Sequence, residues 1–273
     1  MMAMRKLSLN ATELALPALL ATAAFALVGF LDDFLKVKQK NTIGLRPYQK
    51  IIAQFAIAFI LALYAYQSPF IGSKIYLAFF KAEWDLGIFY IPAMMFIIIG
   101  TVNSVNLTDG LDGLCSGVSL VYSTSMMMIF IYMAAAVKAP VAEGQAVQTQ
   151  YSAELSSMAI FAASVAGGCL GFLRYNTYPA RVFMGDTGSL TIGLLLAVMA
   201  IHLSMSDPVK EELFPGAIVT AFSFLLVPML DVVRVVLHRL RNHQPPFLPD
   251  KNHIHHKFIA LGMSQHQALC FIL

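Results

Sequence analysis

The chain has 273 residues, of which 58% are hydrophobic and 12% charged, with a formal net charge of +3 and a mean hydropathy of +0.71. That balance excludes a soluble globular enzyme, whose composition is far more polar, and the loop-bound scatter of the 18 basic residues excludes a nucleic-acid-binding surface. The cysteines, Cys115, Cys169 and Cys270, sit in or beside apolar stretches without paired spacing, so neither a disulfide framework nor a cysteine-based zinc site is expected.

Seven apolar runs, near 12–31, 51–67, 86–105, 114–137, 155–173, 187–203 and 213–233, are each long enough to cross a hydrocarbon core of about 30 Å as a helix. No strand-length alternation suggests a barrel, so the expected fold is all-α: a polytopic transmembrane bundle of about seven spans, with a truncated further span beginning at Gln267. One set of loops carries Lys36, Lys38, Lys40, Arg46, Lys50, Arg174, Arg181, Arg234, Arg239, Arg241, Lys251 and Lys257. The opposite loops hold only Lys74, Lys81, Lys138 and Lys210. The positive-inside rule puts the richer set in the cytoplasm and leaves Arg5 and Lys6 as a small dissent outside. The cytoplasmic acids are then all aspartates (Asp32, Asp33, Asp109, Asp112, Asp186, Asp231 and Asp250), whereas the outer loops mix in glutamates. No Asp, Glu, Lys or Arg falls in mid-span, which argues against a proton-relay transporter or voltage sensor and for chemistry at the cytoplasmic interface.

The first cytoplasmic loop is expected to open with Asp32-Asp33-Phe34-Leu35-Lys36 and to run through Gly44 to Gln54. Adjacent carboxylates bind a cation or share a proton, although a solvated acidic cap on a helix end explains the pair equally well. The second loop, NLTDGLDGL from Asn106 to Leu114, spaces Asn106, Asp109 and Asp112 by three, so a helical turn would set them on one face. Its glycines admit a ligand close to the backbone. An Asn/Asp/Gly turn between hairpinned helices is the plain alternative. In the third, NTYPARVFMGDTGSL from Asn176 to Leu190, Asp186 is either a helix N-cap or a metal ligand. The last, Arg234 to Gly262, holds Pro249-Asp250-Lys251-Asn252-His253-Ile254-His255-His256, whose histidines suit contact with a phosphate better than zinc binding or lipid adhesion.

In order, DDxxK, NLTDGLDGL, FMGDTGSL and PDKNHIHH resemble the polyprenyl-phosphate N-acetylhexosamine-1-phosphate transferase family over nearly the whole chain. That family includes GlcNAc-1-phosphate transferases, which start cell-envelope polysaccharides such as lipopolysaccharide O-antigen, and phospho-N-acetylmuramoyl-pentapeptide transferases of peptidoglycan synthesis. The resemblance implies one integral-membrane transferase domain over 1–273, lacking N-terminal and C-terminal helices of the full family, in a bacterial inner membrane. It implies Mg²⁺, with Mn²⁺ as a substitute, and transfer of a sugar 1-phosphate from a UDP-sugar to a polyprenyl phosphate with release of UMP. Asp186 is then the metal ligand; Asp32, Asp33, His255 and His256 are catalytic; Asn106, Asp109, Asp112, Lys36, Lys50 and His253 bind substrate. The stretch RLRNHQPPFLPDKNHIHH resembles the GlcNAc branch, so UDP-GlcNAc and undecaprenyl phosphate are the expected substrates. The muramoyl-pentapeptide donor is the alternative, and a non-catalytic lipid-binding homologue is the reading from another class. A homodimer is an ordinary partner for the family, and nucleic acid is not.

Overall fold

The computed structural model describes residues 2–40, 44–67, 72–77, 82–137, 145–204, 217–223 and 254–272, with a few positions between 230 and 241. Side chains are described from residue 16 in the first helix, 152 in the fifth and 257 in the last segment. The first six helices are α1 (Met2–Gln39), α2 (Pro47–Gln67), α3 (Tyr90–Thr108), α4 (Leu114–Val137), α5 (Gln145–Asn176) and α6 (Gly185–Ser204). They are followed among the described residues by the short α7 (Ala217–Ser223), α8 (Ile254–Ala260) and α9 (Gln265–Ile272). Each of the first six contains a stretch long and apolar enough to span a membrane, which makes the protein a multi-pass helical membrane bundle. The expected seventh span, 213–233, lies largely outside the described residues. The stretch expected to open a further span is α9, whose Ala268 and Leu269 pack against Leu111 and Leu114.

Local chemistry sets the helix ends. Pro47 opens α2, where its missing N–H costs nothing, and Gln49 reaches back to accept the Arg46 amide at 3.0 Å, half of a capping box. Between α2 and α3, β1 (Lys74–Leu77) pairs antiparallel with β2 (Ala82–Asp85), Lys74 opposite Asp85 and Leu77 opposite Ala82. Four-residue strands are too short to span a bilayer and fall below the pattern sought for a barrel.

The most enclosed of the six spans is α6. On one side it packs with α1, α2 and α3 through Phe25, Ala58, Ile98, Val102, Leu190 and Leu194. On the other it meets α4 and α5 through Tyr122, Met126, Phe130, Leu155, Leu196 and Met199. Small residues allow the close approaches. A Cβ at Gly193 would stand 2.7 Å from Val102 Cα, and one at Gly29 would collide with the Asp186 carbonyl, so α3 and α1 both lie tight against α6. Outer faces carry exposed Leu19, Leu27, Phe30, Phe55, Phe59, Ile131, Ile160 and Leu170, the surface that lipid covers in a membrane bundle.

Candidate active site

Asp32, Asp33 and Lys36 lie on the last turns of α1, because the helix runs on to Gln39. The loop expected to begin at Asp32 therefore starts some two turns later. The helical spacing makes Lys36 a neighbour of both acids: its Nζ is 2.5 Å from Asp32 and 3.7 Å from Asp33. Asp32 is buried and also accepts the Leu45 amide at 2.7 Å. A Cβ at Gly44 would stand 2.5 Å from the Asp32 carboxylate, so only glycine lets the strand of chain before α2 pass this closely.

The N-capping role open to Asp186 falls to Asp33. The Asp33 carboxylate accepts the amides of Asp186 (3.2 Å) and Thr187 (2.8 Å) and the Thr187 hydroxyl (2.6 Å). It caps α6 from a different helix, meeting donors that the first turn of a helix leaves orphaned. Gly185 has φ +64°, and a Cβ there would lie 2.6 Å from Asp33. Asp186, relieved of capping, turns its carboxylate to three other partners: Lys36 Nζ at 3.1 Å and Lys50 Nζ at 2.8 Å on Oδ2, and Asn106 Nδ2 at 2.7 Å on Oδ1. Asn106 Nδ2 also donates to Ser189 Oγ at 2.7 Å.

The NLTDGLDGL residues divide instead of sharing one face. Asn106 is helical, α3 ends at Thr108, and Asp109 follows as its C-cap residue. Burial, reinforced by the charges of Asp186, Asp33 and Asp112, pushes the Asp109 carboxyl up to about 7. Asp112 faces elsewhere and accepts the Ala180 amide at 3.0 Å. Nearby, buried Asn176 accepts from the Gly113 amide and the Ser116 hydroxyl and donates to the Val182 carbonyl. Asp112 and Asn176 thus brace the segment that delivers Gly185 and Asp186. His253 lies outside the described residues. His255 and His256 open α8, with side chains also outside them.

One oxygen from each of Asp32, Asp33 and Asp186 lies within 4.8 Å of the other two. An octahedral Mg²⁺ with bonds of about 2.1 Å sets its ligand oxygens roughly 3 to 4 Å apart, so an all-oxygen trio at this spacing fits a hard divalent ion after a small contraction. Three carboxylates against two lysines would leave one net negative charge if all were ionised, which favours a cation.

Residues absent from the sequence-based expectation also belong to this end: Ser189, Asn103 and Gln54. Asn103 Nδ2 donates to Gln54 Oε1 at 2.7 Å. The available signal was an amide inside an otherwise apolar span, which is costly unless used.

Helices of alternating direction thus bring carboxylate, ammonium and amide groups to one end of a membrane bundle, where polar groups are kept for a function. A family model for glycosyl transferase family 4 matches residues 15–204, and the chain belongs to that family. Among similar proteins are the phospho-N-acetylmuramoyl-pentapeptide-transferases of Clostridioides difficile (strain 630), 47% identical over 175 residues (64% of this chain, 48% of the relative), and of Caldanaerobacter subterraneus subsp. tengcongensis, 47% over 208 residues (74% and 59%). That of Caldicellulosiruptor bescii is 38% identical over 248 residues (90% and 67%). The chain spans about half to two thirds of the length of these relatives.

These relatives overturn the expectation of GlcNAc 1-phosphate transfer from UDP-GlcNAc. It rested on RLRNHQPPFLPDKNHIHH, a stretch that lies beyond the matched residues 15–204 and mostly outside the described ones. The length and composition of one loop do not report which sugar the site holds.

Proposed function

We propose that this protein transfers phospho-N-acetylmuramoyl-pentapeptide from its UDP-linked donor to a polyprenyl phosphate, at the end of the bundle where Asp32, Asp33 and Asp186 converge. The observation that carries the site is the grip on Asp186, whose carboxylate is held at once from α1, α2 and α3. The choice of donor is carried by the names of the relatives. An oxygen of the lipid phosphate bonds to the sugar-linked phosphorus of the donor, the bond from that phosphorus to the bridging oxygen breaks, and UMP leaves with the electron pair.

Both reactants are anionic, so the residues must first offset repulsion. Lys36 and Lys50 supply fixed positive charge. Asp186 and Asp32, with Asp33 behind them, would hold Mg²⁺, or Mn²⁺ in its place, which when bound neutralises phosphate oxygens and favours departure of UMP. Asp33 keeps the start of α6 in place. Burial, with the neighbouring carboxylates, raises the Asp109 carboxyl to about 7, so below that pH it adds little negative charge to this end of the bundle. Asn106 orients Asp186, while Asp112 braces the 177–184 segment. We assign the three histidines to the phosphate side on chemistry alone, and this end to the cytoplasm by the distribution of basic residues.

The test is transfer from UDP-MurNAc-pentapeptide to undecaprenyl phosphate by the chain in lipid nanodiscs, with Mg²⁺ or EDTA. Lipid-linked product that requires the metal and is absent in Asp186→Asn supports the reading. Product that forms equally in EDTA, or in Asp186→Asn, rejects it.

A further inference from the structure

Gln54 and Asn103 touch none of the carboxylates, yet they stand one helical turn beneath them. Gln54 follows Lys50 by four residues on α2, and Asn103 precedes Asn106 by three on α3, spacings that stack side chains on one helix face. Gln54 is 0% exposed. Its Oε1 accepts from Asn103 Nδ2 at 2.7 Å, and the same Nδ2 donates to the Ile99 carbonyl at 2.8 Å. Gln54 Nε2 is buried without a hydrogen-bond partner.

Adhesion alone does not account for such a pair. Further along, α2 and α3 are already joined by Ala62 and Ala65 against Tyr90, Ile91 and Met94, and an amide contact that strands a buried donor is a costlier joint than apolar packing. What a short amide hydrogen bond adds is direction. Apolar surfaces tolerate sliding and rotation, whereas the Gln54–Asn103 bond has one register. That register matters one turn above, where Lys50 from α2 and Asn106 from α3 bond to different oxygens of the same carboxylate. A slip of α2 against α3 would break one contact or the other.

We infer that the Gln54–Asn103 pair is a positioning device that locks α2 to α3, so that Lys50 and Asn106 grip both oxygens of Asp186 together and fix the orientation of that carboxylate. Its catalytic consequence rests on the transferase reading; its geometric consequence does not. Lys50, with a side chain 17% exposed, is shielded while it is held.

The experiment compares wild type with Gln54→Met, which keeps length and bulk but offers only a weak thioether acceptor, and Gln54→Glu, which keeps the acceptor oxygen. Thr101→Val serves as a control, since Thr101 is equally buried on α3 and its hydroxyl also lacks a partner. Two readouts are taken on the full chain in nanodiscs: acetylation of the Lys50 amine by an N-hydroxysuccinimide ester, followed by mass spectrometry, and transfer kinetics. Gln54→Met is expected to raise the Lys50 acetylation rate about threefold or more. It should lower kcat about tenfold with little change in donor KM, as a misplaced group does. Gln54→Glu should restore both, and Thr101→Val should match wild type. Lys50 acetylation in Gln54→Met equal to wild type overturns the inference, as does an equal rise in Thr101→Val. If Gln54→Met folds poorly, Asn103→Ala removes the bond from the α3 side, and unchanged acetylation there overturns the inference likewise. Absence of transfer in wild type would count against the proposed function while the acetylation comparison still decides the positioning.

Discussion

The β1–β2 hairpin and the carboxylate centre both contain lysine–carboxylate pairs, and the two use them differently. In the hairpin, Lys74 meets Glu83 at 3.2 Å with side chains 58% and 40% exposed, and Ser73 bonds to Asp85 across the same turn of chain. At the centre, Lys50 and Asp186 are 136 residues apart in sequence, each 17% exposed, and Asp33 reaches α6 over 153 residues or more. Exposed local pairs are screened and contribute about 0–1 kcal/mol. Enclosed pairs incur a desolvation cost that their attraction barely offsets, so a fold that keeps five charged groups at one junction keeps them for what they do.

The sharpest way to break this contrast is to neutralise one acid in each region. On the proposed transferase reading, Asp186→Asn should lower transfer by about a thousandfold or more, while Glu83→Gln should leave turnover within about twofold; both are read in the nanodisc assay. Next in size is Asp33→Ala. Loss of a cap that serves two amides and a hydroxyl should reduce stability by about 1–2 kcal/mol and turnover by about a hundredfold, measured by thermal unfolding and transfer together. A loss of activity without any loss of stability would show that Asp33 acts on substrate directly and not through α6.

Asp109 separates the regions by pH. Its carboxyl is raised to about 7 by burial and by neighbouring carboxylates, so the folded state favours the neutral form. Stability is therefore undiminished below the unfolded carboxylate value near 4 and is lost as pH rises from there through about 7. On the proposed transferase reading, donor KM should climb above pH 7 in wild type, as a further negative charge joins those of Asp32, Asp33 and Asp186. Asp109→Asn should flatten that rise and gain stability over wild type at pH 8 but not at pH 4. The smallest effect is expected from Lys74→Ala, within about 1 kcal/mol of stability and without change in the pH profile.

Much of this architecture was legible in order and spacing. The apolar runs marked six spans that are described as helices, and the aspartates of three separate segments marked the end of the bundle where they meet. What could not be read was the division of labour. Nothing near Asp33 in sequence says that its oxygens will be taken up by amides on α6, and nothing in NLTDGLDGL says that Asp112 will turn to Ala180 while Asp109 stays with the cluster. Those outcomes depend on contacts across 68 to 154 residues, which no local pattern encodes. Periodicity also ended α1 too early: Asp32 and Asp33 look like the start of a loop until Lys36, one turn on, supplies the partner that lets the helix continue. Gln54 and Asn103 carry no charge and so stand out less in sequence, although an amide in a span is also costly unless used.

The most direct test of the proposed metal site is titration of Mn²⁺ into the chain in nanodiscs, followed by electron paramagnetic resonance, for wild type, Asp186→Asn and Glu83→Gln. One tightly bound Mn²⁺ per wild-type chain is expected, displaced by Mg²⁺, lost in Asp186→Asn and unchanged in Glu83→Gln. Wild-type binding in Asp186→Asn would contradict the proposed site.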